Sequence, residues 1–339
     1  MRPISAQAFA PARPDSGWVQ LALPADAAGS PVFALAVSPL DPGTVLLGTG
    51  VGTILRSTDG GVSWTATGHS LGRAVLTIQY SPFKTDLVYA GTRGAGLWIS
   101  SDAGSTWAKQ ASIPNTTVRS FGFAKSLTLV GVDGGLYSSK DGLTWAPYLS
   151  FAPLSLSALA VAAVNDPPKL LAGADASKGT ESLPLYVSQD GGTSWTNVKS
   201  LGSSTIVGAA AAGAPSGANR PLVVGTNAGA FVSSDGGSSW AQASGLPAID
   251  YSAAAYVAGH NDRFYVASDG GGTQSGGLWA SSDSGQTFRS LNSPIGAVTA
   301  MALSQEEIPT VYTATFRPVD HQVLLWSFRD TGATPIPPA

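Results

Sequence analysis

Short apolar runs rich in β-branched and aromatic residues, broken by Gly, Pro and Asp, recur along the whole chain. In one interval, residues Val75–Tyr80, Leu87–Gly91 and Gly96–Ser100 form three such runs, and Trp107–Gln110 begins a fourth. β-Branched and aromatic runs that are bounded by turn residues are typical of β-strands. No long stretch shows the 3.6-residue periodicity of an amphipathic helix. The pattern therefore predicts an all-β chain.

An eight-residue signature follows the third predicted strand of each interval, first as Ser57-Thr58-Asp59-Gly60-Gly61-Val62-Ser63-Trp64. Six further copies follow, of which one is a residue shorter and the last is degenerate. Their aspartates are 39 to 49 residues apart and are Asp59, Asp102, Asp141, Asp190, Asp235, Asp283 and Asp330. The aromatic residues that close the first six copies are Trp64, Trp107, Trp145, Trp195, Trp240 and Phe288. This period predicts one four-stranded propeller blade for each copy.

The signature has the composition of a tight hairpin between the third and fourth strands of a blade. An Asp carboxylate accepts backbone N–H bonds across such turns, and Gly permits a positive φ. The closing aromatic ring buries a large surface beside the turn. A calcium site would need six to eight oxygen ligands, whereas each copy offers one carboxylate. We therefore interpret the signature aspartates as structural.

The signature resembles the Asp-box, also called the BNR repeat, over nearly the whole chain. Sialidases, xyloglucanases, sortilin-type receptors and photosystem II assembly factors have propellers of this kind, so the resemblance implies a propeller scaffold. Seven copies imply seven blades. The last copy lacks its aromatic residue, and Trp18 near the start of the chain supplies one. We expect the N-terminal strand to complete the last blade beside Val323–Trp326, in one domain over residues 15–335 between a flexible segment 1–14 and a tail 336–339.

Composition excludes several function classes. The chain has 339 residues, 12% of them charged, and a net charge of −3. It has no basic field for nonspecific nucleic-acid binding, and its lack of Cys excludes disulfides and thiolate metal sites. No histidine cluster has metal-ligand spacing, so we expect neither a metal nor a cofactor. No apolar stretch is long enough to span a membrane. We also expect the protein to be a monomer.

The first residues bear on localisation. Ala6-Gln7-Ala8 resembles the small-residue end of a removed signal peptide. We therefore expect a bacterial protein exported to the periplasm or the medium, with a cytoplasmic location as the alternative.

Antiparallel blades sort their loops onto two faces. The signature hairpins share one face with the turns between first and second strands. The loops between second and third strands vary more and share the opposite face with the blade connections, and variable loops on a rigid scaffold often bind ligands. The binding candidates there are Arg73, Arg93, Arg119, Asp250, Tyr251, Arg317, Asp320 and His321. The catalytic candidates are Asp133, Asp175, Glu181 and Asp269.

Three sets of residues are candidates for catalysis or ligand binding. Gly68–Gly72 matches a Gly-x-Ser-x-Gly nucleophile elbow but lacks the strand-to-helix context that this motif requires. A pair of the acidic candidates would suit glycoside hydrolysis, which needs two carboxyl groups about 5–9.5 Å apart. The arginines would suit a carboxylate or phosphate ligand. The sialidase Phe/Tyr-Arg-Ile-Pro motif does not transfer, because Phe316-Arg317-Pro318 is one residue short and lies at the wrong end of the chain.

The sequence therefore predicts a noncatalytic Asp-box propeller that binds a protein or glycan through the face opposite the signature hairpins. The scaffold signal is strong and no catalytic motif transfers, but a propeller fold alone does not define a function. The alternative is a carbohydrate-active enzyme, a glycoside hydrolase or lyase, that uses acidic loop residues at the mouth of the central channel.

Overall fold

A computed structural model describes residues 17–24, 27, 29–68, 70–125, 127–163, 167–175, 185–198, 201, 207–212, 220–257, 260, 262–271, 274–294, 297–317 and 322–332. The fold is all-β, with seven four-stranded antiparallel blades in a propeller. The first strand of each blade lines the central channel. Among the described residues, no helix has the length and apolar character that a membrane crossing would require.

The strands follow the predicted intervals. The first strand of the chain, which belongs to the last blade, and those of blades one and two are β1 (Trp18–Leu21), β2 (Val32–Val37), β3 (Val45–Thr49), β4 (Ile54–Ser57), β5 (Thr65–Ala66), β6 (Val75–Tyr80), β7 (Val88–Thr92), β8 (Leu97–Ser100) and β9 (Ala108–Lys109). Blades three and four contain β10 (Val118–Ala124), β11 (Leu127–Ser139), β12 (Ala146–Ala163), β13 (Lys169–Asp175), β14 (Leu185–Ser188) and β15 (Thr196–Asn197). Blades five to seven contain β16 (Val207–Ala212), β17 (Leu222–Thr226), β18 (Gly229–Ser233), β19 (Ala241–Gln242), β20 (Ala253–Tyr256), β21 (Phe264–Gly271), β22 (Gln274–Ser281), β23 (Arg289–Ser290), β24 (Val298–Leu303), β25 (Thr310–Arg317) and β26 (Gln322–Arg329).

Blades three and four share one continuous sheet. The early part of β11 pairs with β10, and its later part pairs with the start of β12. The rest of β12 continues as the first strand of blade four and pairs with β13. The outer strand of blade three therefore runs directly into the inner strand of blade four.

The hydrophobic core is divided into seven clusters, each between two neighbouring blades. The second strand of a blade is packed on both faces, and β3, β7 and β17 are buried at every position. Each of these three strands ends in Gly-Thr. A Cβ on Gly48 or Gly91 would lie 2.6–2.7 Å from the Val that begins the next inner strand, so glycine is required there for close blade packing.

The N-terminal strand closes the ring, as the degenerate last copy of the signature predicts. β1 pairs antiparallel with β26, with Trp18 opposite Phe328 and Leu21 opposite Leu325. The pairing lies slightly further along β26 than expected. The Trp18 ring stacks on Phe328 at 5.1 Å, and its Nε1 donates to the Leu291 carbonyl of blade six at 3.0 Å. This closure removes the exposed edges of the sheet.

Candidate functional site

The two faces of the propeller are assigned by hydrogen bonds between their turns. In blade one, Gly60 N in the signature hairpin donates to Gly43 O in the turn between the first two strands, at 2.8 Å. In blade two, Ala103 N donates to Asp86 O at 2.9 Å. We call this side the signature face. The blade connections and the loops between second and third strands lie on the opposite side, which we call the mouth face.

Six of the seven signature aspartates are enclosed by their own hairpins. Asp235 accepts bonds from the Ser233 hydroxyl at 2.8 Å and from both the backbone N–H and the hydroxyl of Ser239, at 2.9 and 2.6 Å. The Ser233 hydroxyl also accepts the Gly237 N–H at 2.7 Å. The same arrangement surrounds Asp59, Asp102, Asp141, Asp190 and Asp283. These carboxylates clamp their turns, and we call them the clamps.

The hydrogen bonds also keep the clamps ionised. The Ser194 hydroxyl, then the Ser194 N–H and the Ser188 hydroxyl, lower the pKa of Asp190 to about 2. Burial acts to raise the pKa of Asp235, but the bonds from Ser239 and Ser233 outweigh it and lower that pKa to about 2. A carboxylate with an unusually low pKa and no free oxygen is a poor general acid. The clamps are therefore unsuited to proton transfer.

The closing aromatic residues differ among the copies. Trp64, Trp195 and Trp240 each donate Nε1 to the carbonyl of the second signature glycine, at 3.0–3.1 Å. In the shortened copy Trp145 is buried, and the Gly142 carbonyl instead accepts the Tyr89 hydroxyl of blade two at 3.1 Å. Trp107 is half-buried, and Phe288 is buried in the core between blades five and six.

Asp330 corrects the interpretation of the last signature copy. Instead of clamping its own hairpin, this buried carboxylate bridges blades seven and six. Its Oδ1 lies 2.9 Å from Arg289 Nη2 and also accepts the Gly332 N–H, while Oδ2 accepts the Tyr265 hydroxyl at 2.5 Å. In this degenerate copy Phe328 replaces the first hydroxyl residue of the signature and Pro335 replaces its aromatic residue. The carboxylate pairs instead across the interface between blades six and seven.

Of the candidate arginines, Arg73 and Arg93 lie beside one pocket on the mouth face. Arg73 lies in the connection from blade one to blade two, and Arg93 follows β7. They line one open pocket of about 420 Å³ with Val51 and four small residues, Gly50, Gly72, Ala74 and Gly94. The Arg93 guanidinium also lies 5.7 Å from the centre of the Phe33 ring. Within the part of the chain that the structure describes, neither guanidinium has a hydrogen bond or an ion pair.

Arg119 is separate from this pair. Its Nε lies 3.1 Å from Asp133 Oδ1, so the two candidates neutralise each other in blade three. Arg119 also lines the central channel, a cavity of about 190 Å³ surrounded by the inner strands of all seven blades. The other described residues of the channel wall are uncharged. The channel is smaller than typical ligand pockets, which measure roughly 300–1,000 Å³.

Asp250 and Asp269 form an acidic pair on the far side of the mouth face. Asp250 lies in the connection from blade five to blade six, and Asp269 lies near the end of β21. Both side chains contact solvent, yet partial burial raises the pKa of each. The negative charge of Asp269 raises the pKa of Asp250 further. Carboxyl groups with raised pKa values can act as general acids.

Tyr251 is a correction to the predicted binding set. It is fully buried, its ring packs edge-on against Trp279 at 5.4 Å, and its hydroxyl donates to Pro247 O at 3.0 Å. The neighbouring Asp250 reaches the surface because adjacent residues of the connection face opposite ways. Of the remaining candidates, Glu181, Asp320 and His321 lie outside the described residues, as do the side chains of Asp175 and Arg317.

Two further features bear on what the mouth face can hold. The described residues contain no cluster of three or more His, Cys, Asp or Glu that could bind a metal ion. Phe33, which supports Arg93, was not among the sequence candidates. Its position in an apolar inner strand marks it as core, and only the packing of two blades brings it beneath the arginine.

Comparisons with known proteins extend the fold assignment. No protein-family model matches the chain, and a search of curated proteins finds no match. Among solved structures, an ancestral GH74 enzyme is 14% identical with a TM-score of 0.67, covering 91% of this chain and 47% of that one. YCF48 bound to D1 peptide is 16% identical, with coverages of 94% and 99% and a TM-score of 0.63. The WD40 repeats of RRP9 are 13% identical, with coverages of 95% and 99% and a TM-score of 0.68.

These similarities show the fold alone. The chain spans about half the length of the GH74 enzyme, and its neighbours include both enzymes and binding propellers.

Proposed function

We propose that this protein is a noncatalytic Asp-box propeller that binds an anionic group of a protein or glycan through Arg73 and Arg93 on its mouth face. One observation carries the proposal. Arg73 from the connection between blades one and two shares one open pocket with Arg93 of blade two, and neither guanidinium has a hydrogen-bond or ion-pair partner among the described residues. Two positive charges beside one pocket repel each other, and a bound anion would offset that repulsion.

The chemistry of the pocket favours an oxyanion. A guanidinium presents a planar fork of N–H donors that matches the two oxygens of a carboxylate, or those of a phosphate. Phe33 holds Arg93 in place through a cation–π contact, so less side-chain entropy is lost on binding. The small residues of the pocket leave its entrance open, and Val51 adds an apolar contact beside the charges.

The structural neighbours are compatible with this class of partner. One is described as bound to a D1 peptide, and another as a GH74 enzyme. Both a peptide and a glycan can carry carboxylates. We also propose, from the sequence alone, that the protein is exported from a bacterial cytoplasm and is a monomer.

The test is to titrate the protein with fluorescein-labelled hexaglutamate and with hexagalacturonate, a carboxylated glycan. We expect Arg73→Gln/Arg93→Gln to weaken binding of one or both at least tenfold, because a hydrogen bond to a charged group contributes about 1.5–3 kcal/mol. The control is Lys140→Gln/Arg329→Gln, which removes two exposed positive charges from the signature face. Equal losses in the two double variants would reduce the effect to net charge and contradict the proposal.

A specific observation supports a second candidate function, glycoside hydrolysis. Asp250 and Asp269 are electrostatically coupled acids with raised pKa values, and a glycosidase needs one protonated and one ionised carboxyl group at its site. In this mechanism one aspartic acid protonates the leaving oxygen. The other aspartate activates water or attacks the sugar.

The two functions are separable by mutation. If the protein hydrolyses members of a panel of neutral and acidic polysaccharides, Asp250→Asn and Asp269→Asn should each abolish turnover. Arg73→Gln/Arg93→Gln should leave turnover of neutral substrates unchanged. That result would replace the binding function by the enzymatic one, whereas absence of turnover across the panel would leave the acids without a catalytic role.

A further inference from the structure

The exposed large hydrophobic side chains of the described residues are unevenly distributed. Of six such residues, five lie on the signature face and one, Val51, on the mouth face. The five belong to consecutive blades seven, one, two and three, and we call them the apolar arc. Its members, with their exposed fractions, are Ile308 (37%), Leu40 (70%), Val62 (43%), Phe83 (55%) and Leu143 (49%).

Hydrogen bonds hold neighbouring members of the arc side by side. The turn with Leu40 is bonded to the hairpin with Val62 through Gly60 N and Gly43 O. The turn with Phe83 is bonded to the hairpin with Leu143 across the seam between blades two and three, where Lys84 Nζ lies 2.7 Å from Asp141 O. Isolated exposed hydrophobic residues are common, but a series on adjacent turns of a rigid scaffold is typical of a contact surface.

The hairpins themselves do not need these apolar side chains. Val62 occupies a variable signature position that is Ser105, Thr193, Ser238 and Gln286 in other copies. All of these hairpins close in the same way, so the Val62 side chain has no role in the clamp. In the Leu40 turn, Ser38 and Asp41 make the turn bonds, and Leu40 contributes only its backbone N–H.

Negative charges outnumber positive charges around the arc. On the signature face of blades seven, one, two and three, the partly or fully exposed carboxylates are Asp41, Asp59, Asp86, Asp102, Asp141, Glu306 and Glu307. The cations there are Arg56, Lys84, Lys125, Lys140 and Arg329. Arg56 and Lys84 are already bonded to backbone oxygens of the next blade. Hydrogen bonding, opposed by burial, lowers the pKa of Asp59 and Asp102, so both stay ionised in weak acid.

We propose that the apolar arc docks a basic amphipathic segment of a partner protein, independently of the mouth-face site. Apolar side chains of the segment contact the arc, and its Lys or Arg residues face the surrounding carboxylates, as in helix-in-groove recognition with complementary charge. An anionic lipid surface is disfavoured because the same carboxylates repel it. A second copy of this chain is disfavoured because the signature face would bring like charges together.

The experiment uses a fluorescein-labelled 14-residue amphipathic peptide of Leu and Lys, titrated by fluorescence anisotropy. We expect binding that weakens at least tenfold between 50 and 500 mM salt and at least tenfold in Leu40→Ser/Phe83→Ser. Both side chains are exposed, so this variant should fold normally, which its unfolding curve will check. The matched control is Val51→Ser, which removes the exposed hydrophobic residue of the mouth face and should leave binding unchanged.

Four results would overturn the proposal. The basic peptide could bind wild type and Leu40→Ser/Phe83→Ser equally, or a Leu and Glu peptide could bind as well as the basic one. Anionic phospholipid vesicles could bind the wild type and lose binding in the variant. Sedimentation could show a wild-type dimer that the variant dissociates, in which case a second copy covers the arc.

Discussion

The signature face and the mouth face are built from the same seven blades but use their polar groups differently. On the signature face, carboxylates, hydroxyls and cations bond within a hairpin or to the next blade, as Asp235 and Lys84 do. On the mouth face, Arg73 and Arg93 share a pocket, and neither guanidinium has a hydrogen-bond or ion-pair partner among the described residues. Asp250 and Asp269, on the same face, repel each other. One face therefore stabilises the ring, and the other holds charges that the fold does not require.

The difference separates two kinds of residue that look alike in the sequence. Asp235 and Asp250 are both exposed to some solvent and both lie in loops, yet protein donors lower the pKa of the first, while burial and a like charge raise the pKa of the second. Substitution of a clamp aspartate on the signature face should therefore reduce stability. Substitution of Asp250, Arg73 or Arg93 on the mouth face should leave stability unchanged or improved, and substitution of the two arginines should reduce binding.

The largest stability effect is expected at the interface between blades six and seven, which we call the seam. Asp330→Asn removes the negative charge beside Arg289 and weakens the bond to Tyr265, at a cost of about 2–4 kcal/mol in the free energy of unfolding. Urea denaturation measures this change. The control is Asp133→Asn, which breaks the half-exposed pair with Arg119 and should cost less than about 1 kcal/mol. Equal costs would show that the mouth face stabilises the ring as strongly as the seam.

A smaller effect is expected for a single clamp. Asp235→Ala removes the acceptor of four hydrogen bonds and should cost about 1–2 kcal/mol, since this carboxylate is partly solvated. Asp250→Ala should cost nothing or stabilise the protein, because it relieves the repulsion from Asp269. Thermal and urea unfolding of the two variants side by side will test the contrast. Destabilisation by Asp250→Ala equal to that of Asp235→Ala would contradict it.

The smallest effect is a difference in pH dependence. Asp190 and Asp235 have folded pKa values of about 2, below the ordinary 3.8, so they add stability above pH 4 that is lost as the pH falls through about 2. Asp250 and Asp269 have raised pKa values, so they reduce stability at neutral pH and cease to do so as acid protonates them. Asp250→Asn should therefore stabilise the protein at pH 7 and have no effect at pH 3, as urea unfolding at both pH values would show.

Much of the fold follows from the repeated signature. Its seven copies predict the blade count, and the missing aromatic residue of the last copy predicts that Trp18 closes the ring. The continuous strand β12 was not predicted, because Pro153 lies near the middle of Ala146–Ala163 and Pro normally marks a strand boundary. The separate role of Asp330 was also hidden, since its partners Arg289 and Tyr265 lie 41 and 65 residues away.

The candidate site was predictable only as a face and a residue class. The order of the loops predicted that Arg73, Arg93 and Asp250 lie on the mouth face. It did not predict which of them lie close together. The convergence of Arg73 and Arg93 depends on the close packing of blades one and two, and the raised pKa of Asp250 depends on a neighbour in another loop. Tyr251 shows the same limit, because a tyrosine beside a surface aspartate can equally well face the core.

The central claim is that the mouth-face arginines serve recognition and not stability. It is tested most directly by measuring, on the same samples of Arg73→Gln/Arg93→Gln, the free energy of unfolding and the affinity for hexaglutamate and hexagalacturonate. We expect an unfolding free energy within about 0.5 kcal/mol of wild type, as for ordinary surface positions, and affinity for at least one probe reduced tenfold or more. Lost stability with unchanged affinity for both probes would contradict it.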